Sequence, residues 1–212
     1  MHTKRLFWND PYLKDCNANV IEINNDKIVL DQTIIYALSG GQESDSGNIG
    51  EYEVIEATKR EDTLVYTLNK PFNGKVGDNV KVKIDWDKRY KLMRLHSAQH
   101  IVAEIVMQNY KDTKDAGGGI SSNKARLDFS GIKFSEILKD IEIKVNKFIS
   151  ENHTIKLCGE EKDETRRLWE IEGFAKMNCS GTHVKNTSEI GKITLKRKSG
   201  GANIDRLEIY FA

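Results

Sequence analysis

The chain is 212 residues long, 38% hydrophobic and 31% charged, enough for one large domain or two small ones. A formal net charge of +1 excludes a globally basic field, and three cysteines cannot pair fully, so we expect a reducing compartment and no disulfide framework. No apolar stretch is long enough to span a bilayer and none follows MHTKRLFWNDP, so the expectation is a cytoplasmic protein with no membrane partner.

Residues 1–87 hold 10 basic and 15 acidic side chains, whereas residues 88–212 hold 23 and 17, so a polyanionic partner is expected on the second part. The first part reads as short strands. VIEINNDKIVL alternates apolar and polar residues about Asn24-Asn25-Asp26, and YEVIEATKREDTLVYTL repeats the pattern about Lys59 to Asp62, predicting two hairpins. Asn73-Gly74 and Gly77-Asp78 then punctuate a last run, VKVKID. Strands at this spacing predict a small β-barrel or sandwich. Between the hairpins lies SGGQESDSG, Ser39 to Gly47, with Gly40, Gly41, Gln42, Asp45 and Gly47. By composition it is a flexible turn cluster, and it lacks the lysine and helix start of a P-loop.

The pattern changes near Asp85. Asp85 or Asp87 can cap a helix from about Asp87 to Tyr110, in which Tyr90, Met93, His100 and Met107, or Leu92, Leu95, Ile101 and Ile105, recur at helical spacing. A loop with Gly117, Gly118 and Gly119 follows, then a strand in KARLDF. A second helix, roughly Phe134 to Glu151, places Ile137, Ile141, Val145 and Phe148 on one core-facing stripe. HTIKLCG reads as another strand and ITLKRKSGGANIDRLEIYF as a closing hairpin around Gly200-Gly201. The expected architecture is α+β with two domains, 1–87 and 88–212.

Two motifs in the second part carry chemistry. In HSAQH, His96 and His100 are spaced i, i+4, so on a helix both imidazoles leave one face about a turn apart. CSGTHV, Cys179 to Val184, repeats that spacing with Cys179 and His183. An isolated HxxxH is usually a solvated or core pair. The chain has five histidines and three cysteines, and four of these eight residues fall into two same-spaced pairs; a thiolate with three imidazoles suits zinc but suits magnesium or calcium poorly.

With these motifs, SGGQESDSG and the terminal RLE at Arg206 to Glu208, the chain resembles the AlaX family of freestanding alanyl-tRNA editing proteins over nearly its whole length. The GGQ segment ahead of HxxxH resembles the medium-length members. The resemblance implies a translation-type β-barrel, then an editing domain like the second additional domain of threonyl- and alanyl-tRNA synthetases. It also implies zinc held by His96, His100, Cys179 and His183, and hydrolysis of serine or glycine wrongly attached to alanine tRNA. Members of the family usually have Gly where Ser39 and Ser180 stand and Thr where Ser97 stands. Ser97 keeps the hydroxyl, whereas Ser39 occupies a position suited to positive φ.

Hydrolysing an aminoacyl ester needs a positioned water, stabilisation of the developing oxyanion and correct placement of the ester. Four protein ligands resemble a closed structural site. Either one histidine yields, or the metal grips the free α-amine of the substrate while a separate water attacks; we favour the second. A pocket that hydrogen-bonds serine's hydroxyl rejects alanine. Ser97 is the first candidate for that contact and a helix-surface serine otherwise; Gln99 and Thr182 are further candidates. For tRNA phosphates the basic runs are Lys88-Arg89 with Lys91 and Arg94, and Lys196-Arg197-Lys198, although charge runs are commonly solvated faces. The rival reading is a non-catalytic tRNA-binding module with structural zinc. A further one, a chain related to the aminoacylating synthetase, leaves no room for an ATP-binding core.

Overall fold

The computed structural model of the protein describes residues 3–61, 63–160, 163–201 and 203–212. It divides into two compact units, Met1–Ser39 with Glu43–Tyr90, and Gly40–Gln42 with Lys91–Ala212. The division thus falls inside the long helix, and three residues of the glycine-rich segment belong with the second unit.

The first unit contains β1 (Lys4–Arg5), β2 (Asp15–Asn24), β3 (Lys27–Leu30), β4 (Gln32–Thr33), β5 (Gly47–Ile49), β6 (Tyr52–Arg60), β7 (Thr63–Leu68) and β8 (Asn79–Ile84). β1 and β4 form a parallel pair; the other six run β2-β3-β7-β6-β5-β8 and close into a barrel because β2 also pairs with β8. Closure leaves those six strands no open edge. Asn25, at φ 57, turns β2 into β3, and Glu61, at φ 53, leads from β6 towards β7; Asp62 of that expected turn lies outside the described residues. Alternate residues point inward, so Val20, Ile28, Leu30, Ile49, Leu64, Tyr66 and Val82 form the core.

α1 (Trp86–Asn109) starts behind Asp85, whose Oδ1 accepts a hydrogen bond from Lys88 N at 3.1 Å. The two apolar stripes of the sequence are both buried because the helix is covered nearly all round between Leu92 and Val106; only Met107 of those stripes is exposed. The second unit continues with β9 (Lys114–Ile120), β10 (Ala125–Ser130), α2 (Leu138–Ser150), β11 (Lys156–Glu160), β12 (Asp163–Ile171), β13 (Ala175–Asn178), β14 (Ile193–Ser199) and β15 (Asp205–Phe211). These strands make a four-stranded sheet, β14-β15-β10-β9, and a three-stranded one, β11-β12-β13. Sheets carrying two helices agree with the expected α+β class. Asn146 of α2 bonds both the N and the O of Ile193 at 2.9 Å, and Glu142 accepts from Leu195 N at 2.8 Å, so α2 occupies the free edge of β14.

Two expectations need correction. Gly117, Gly118 and Gly119 are not a loop but lie in β9, paired with β10, and at Gly118 the strand runs where a side chain does not fit. A Cβ on Gly118 would come within 2.8 Å of Gln99 Nε2 and 2.9 Å of Arg126 O. The second helix begins at Leu138, since residues 134–137 form a turn in which Phe134 O accepts from Ile137 and Leu138 N and Phe134 N donates to Asp205. Its buried face is Ile141, Val145 and Ile149, with Phe148 at the margin. Among the described residues no helix is long and apolar enough to cross a membrane.

Candidate metal centre

His96 and His100 lie one turn apart on α1, their ring centroids separated by 4.7 Å. The second pair reaches them differently. Cys179 follows the end of β13, its N donating to Arg167 O at 2.8 Å, and residues 179–185 run without helical structure to bring His183 back. The i, i+4 spacing of Cys179 and His183 is therefore not helical. The ligating atoms of His96, His100, Cys179 and His183 all lie within 4.8 Å of one another. Cys179 Sγ is 3.5 Å from His96 Nε2 and 3.2 Å from His183 Nε2. A tetrahedral ion with bonds of about 2.3 Å to sulfur and about 2.0 Å to nitrogen separates its S and N ligands by roughly 3.5 Å.

Hydrogen bonds on the far side of two rings decide which nitrogen is presented. Gln42 Oε1 accepts from Thr182 N at 3.1 Å while Gln42 Nε2 donates to Thr182 Oγ1 at 3.0 Å, which fixes the orientation of the amide. The same Oε1 is 2.8 Å from His96 Nδ1. For His183 the partner of Nδ1 is Ser97 Oγ at 3.1 Å, which also accepts from Val184 N at 3.3 Å. Gly181 makes this packing feasible: a Cβ there would lie 2.3 Å from His96 Cε1 and 2.8 Å from Gln42 Oε1. Gly40 and Gly41, at φ 56 and 82, steer Gln42 inward, and Gly41 O accepts from Ile120 N at 2.8 Å. Ser39 is not among the positive-φ residues, so serine there strains nothing.

Burial holds the imidazoles neutral. It lowers His96 and His183 well below their ordinary range and His100 to about 4, with neighbouring imidazoles adding to the effect at His96 and His183. Burial also pushes the Cys179 thiol up to about 11. His100 Nε2 is buried with no hydrogen-bond partner, an uncompensated lone pair or N–H. The rings of His100 and Trp169 pack at 5.2 Å. Three imidazoles and a thiol gathered this way can hold a metal ion.

Several residues picked out in the sequence act elsewhere. Ser97 is fully buried and positions His183, so its hydroxyl is not an exposed substrate contact. Gln99 Nε2 donates to Arg126 O at 2.8 Å and ties α1 to β10 instead of lining a pocket. Thr182 is buried against Gln42. Arg89 cannot meet phosphate: it is 0% exposed, paired with Asp45 and bonded to the carbonyls of Pro11 and Ile34. Asp45 therefore serves the first unit, and Gly47 sits where a Cβ would meet Lys83 O. Lys88 pairs with Glu43 at 2.8 Å, and Arg94 is half-buried, donating to Ile190 O. Lys196, Arg197 and Lys198 are exposed on β14, but strand alternation sends Arg197, paired with Asp205, to the opposite face from the other two. No local pattern marks Trp169, or Arg166 and Arg167, which with Asn178, Cys179 and Ser180 line a cleft of about 430 Å³ at the partly exposed thiol.

Residues 10–88 match the family described as tRNA synthetases class II (A), and residues 167–208 match the threonyl and alanyl tRNA synthetase second additional domain. An alanyl-tRNA editing protein AlaX-M of Pyrococcus horikoshii is 38% identical over 98% of this chain and 97% of its own length. The AlaX-M of Methanosarcina acetivorans is 33% identical over 99% of this chain and 98% of its own. An alanine–tRNA ligase of Ignicoccus hospitalis is 34% identical over 91% of this chain, which corresponds to 24% of the ligase.

Proposed function

The chain belongs to the AlaX-M family of alanyl-tRNA editing proteins, and from that premise we propose that it deacylates alanine tRNA wrongly charged with serine or glycine. The observation that carries the reading is the convergence of the donor atoms of His96, His100, Cys179 and His183, with His100 Nε2 buried and without a hydrogen-bond partner. A donor set of one sulfur and three neutral imidazoles fits zinc better than a hard cation. Zinc bound there supplies an electron-pair acceptor for water or for the substrate's free α-amine. The chain's own residues orient that centre: Ser97 holds His183, and Thr182 anchors Gln42 beside His96. The cleft beside Cys179 is the entry for the aminoacylated terminus, with Arg166 and Arg167 in its lining.

We assign the second unit as the editing domain and the first as a translation-type barrel. The tRNA body is assigned to the outer face of the four-stranded sheet. Alternation places Arg126, Lys196, Lys198 and Arg206 on one face with only Asp128 and Glu208 as counter-charges, while Leu127, Leu195, Leu207 and Ile209 fill the other. The complete donor set also supports a second reading, structural zinc in a binding module. Deacylation of seryl-, glycyl- and alanyl-tRNA for alanine, with and without chelator, separates the two. Editing requires loss of serine and glycine with alanine spared; no hydrolysis of any of the three by zinc-loaded protein would leave the binding module.

A further inference from the structure

We infer that Gln42 is a positioning residue of the metal centre, which makes the glycine-rich segment part of the editing site's construction. The inference rests on the zinc reading above for its purpose, but its physical content is independent of any ion. Gln42 is 0% exposed and its backbone bridges Ile120 at the end of β9. Thr182 N can only donate, so the Gln42 atom it meets is the oxygen, and that oxygen also faces His96 Nδ1 at 2.8 Å. An amide oxygen only accepts. His96 must therefore carry its proton on Nδ1, leaving the Nε2 lone pair directed towards Cys179 Sγ at 3.5 Å. Through Thr182 the same amide fixes the loop that delivers Cys179 and His183. One side chain thus sets a ligand's tautomer and the position of the loop bearing two others. Gly181 leaves the space for it, and Gly40 and Gly41 give the chain the left-handed turns that bring it in.

Two variants test this. Gln42→Leu keeps the bulk and removes all three side-chain bonds; Gln42→Glu keeps an acceptor for Thr182 N and His96 Nδ1. Long-range 1H–15N spectra of metal-free wild type should place the His96 proton on Nδ1, and Gln42→Leu should lose that preference. Zinc affinity, measured by competition with a chromophoric chelator, should fall about 10–100-fold in Gln42→Leu and recover towards wild type in Gln42→Glu. A wild-type proton on Nε2, an Nδ1 proton kept in Gln42→Leu, or a Glu variant no better than Leu would overturn the assignment. Since the tautomer is read without metal, a wild type that binds no zinc refutes the zinc reading and leaves this measurement standing. If Gln42→Leu does not fold, the wild-type spectrum and the Glu variant decide.

Discussion

At Gly181 there is no space for even a methyl group, because His96 and Gln42 close over its Cα. Gly181→Ala must displace either the ring or the loop, so zinc affinity should drop by about 10–100-fold while the barrel melts as before; unchanged affinity by chelator competition would show that the ring yields freely. Ser97 makes a complementary case. In Ser97→Ala both His183 Nδ1 and Val184 N lose their partner in the interior, at a cost of roughly 1–3 kcal/mol to the metal-free protein in urea titration, together with weaker zinc binding. Equal stability of the two proteins would remove Ser97 from the support of His183. The histidine and cysteine pairs were legible because their residue types are rare in this chain and evenly spaced. Gln42 was not, since a glutamine in a glycine- and serine-rich run has no local mark distinguishing it from a solvated turn residue.

At the level of elements, the clearest change of meaning concerns the start of α1. Lys88-Arg89 reads as a phosphate-binding run, yet the barrel unit buries Arg89 with Asp45 and two carbonyls. Arg89→Ala leaves the Asp45 carboxylate buried without its counter-ion and should destabilise the protein by about 3–5 kcal/mol in chemical denaturation. The Asp45→Asn, Arg89→Met pair should recover part of that loss, whereas a small effect of Arg89→Ala would mean water replaces the guanidinium. The long helix was legible from its cap and period, and the hairpins from alternation. β9 was not, because three successive glycines are the usual sign of a loop. Here they belong to a strand in which the middle one, Gly118, has no room for a Cβ beside Gln99 and the β10 backbone. β12 likewise carries DETRRLWEI, whose charges hide the alternation that buries Trp169 and Ile171.

For the molecule as a whole, acid sensitivity should originate in the four-stranded sheet. The Lys124 ammonium, assisted by Tyr210 and Lys198, holds Glu208 down at about 2 against an ordinary 4.5, and Arg206 lowers Asp128 in the same sheet. A carboxylate depressed in the folded state stabilises the fold above its unfolded value and loses that contribution as pH falls through its folded one. Stability should therefore decline from about pH 4.5 towards about 2, and Glu208→Gln should flatten the decline; an identical acid profile for the variant would place the sensitivity elsewhere. On the tRNA side, Lys196→Gln with Lys198→Gln should reduce the salt slope of binding by roughly 1 per contact, while Arg197→Gln, on the opposite face, should leave it nearly unchanged. What the sequence determined by itself was local: hairpins and helix, the α+β class, the donor set, and a basic second half. These depend on neighbours within a few residues, whose geometry the backbone imposes directly. What only the tertiary structure decided were the partnerships across long separations: Gln42 with His96 54 positions on and with Thr182 140 positions on, Arg89 with Asp45, and the two faces on which the lysines and arginines of β14 fall. Such contacts are chosen by the packing of whole elements, and no spacing within the chain encodes them.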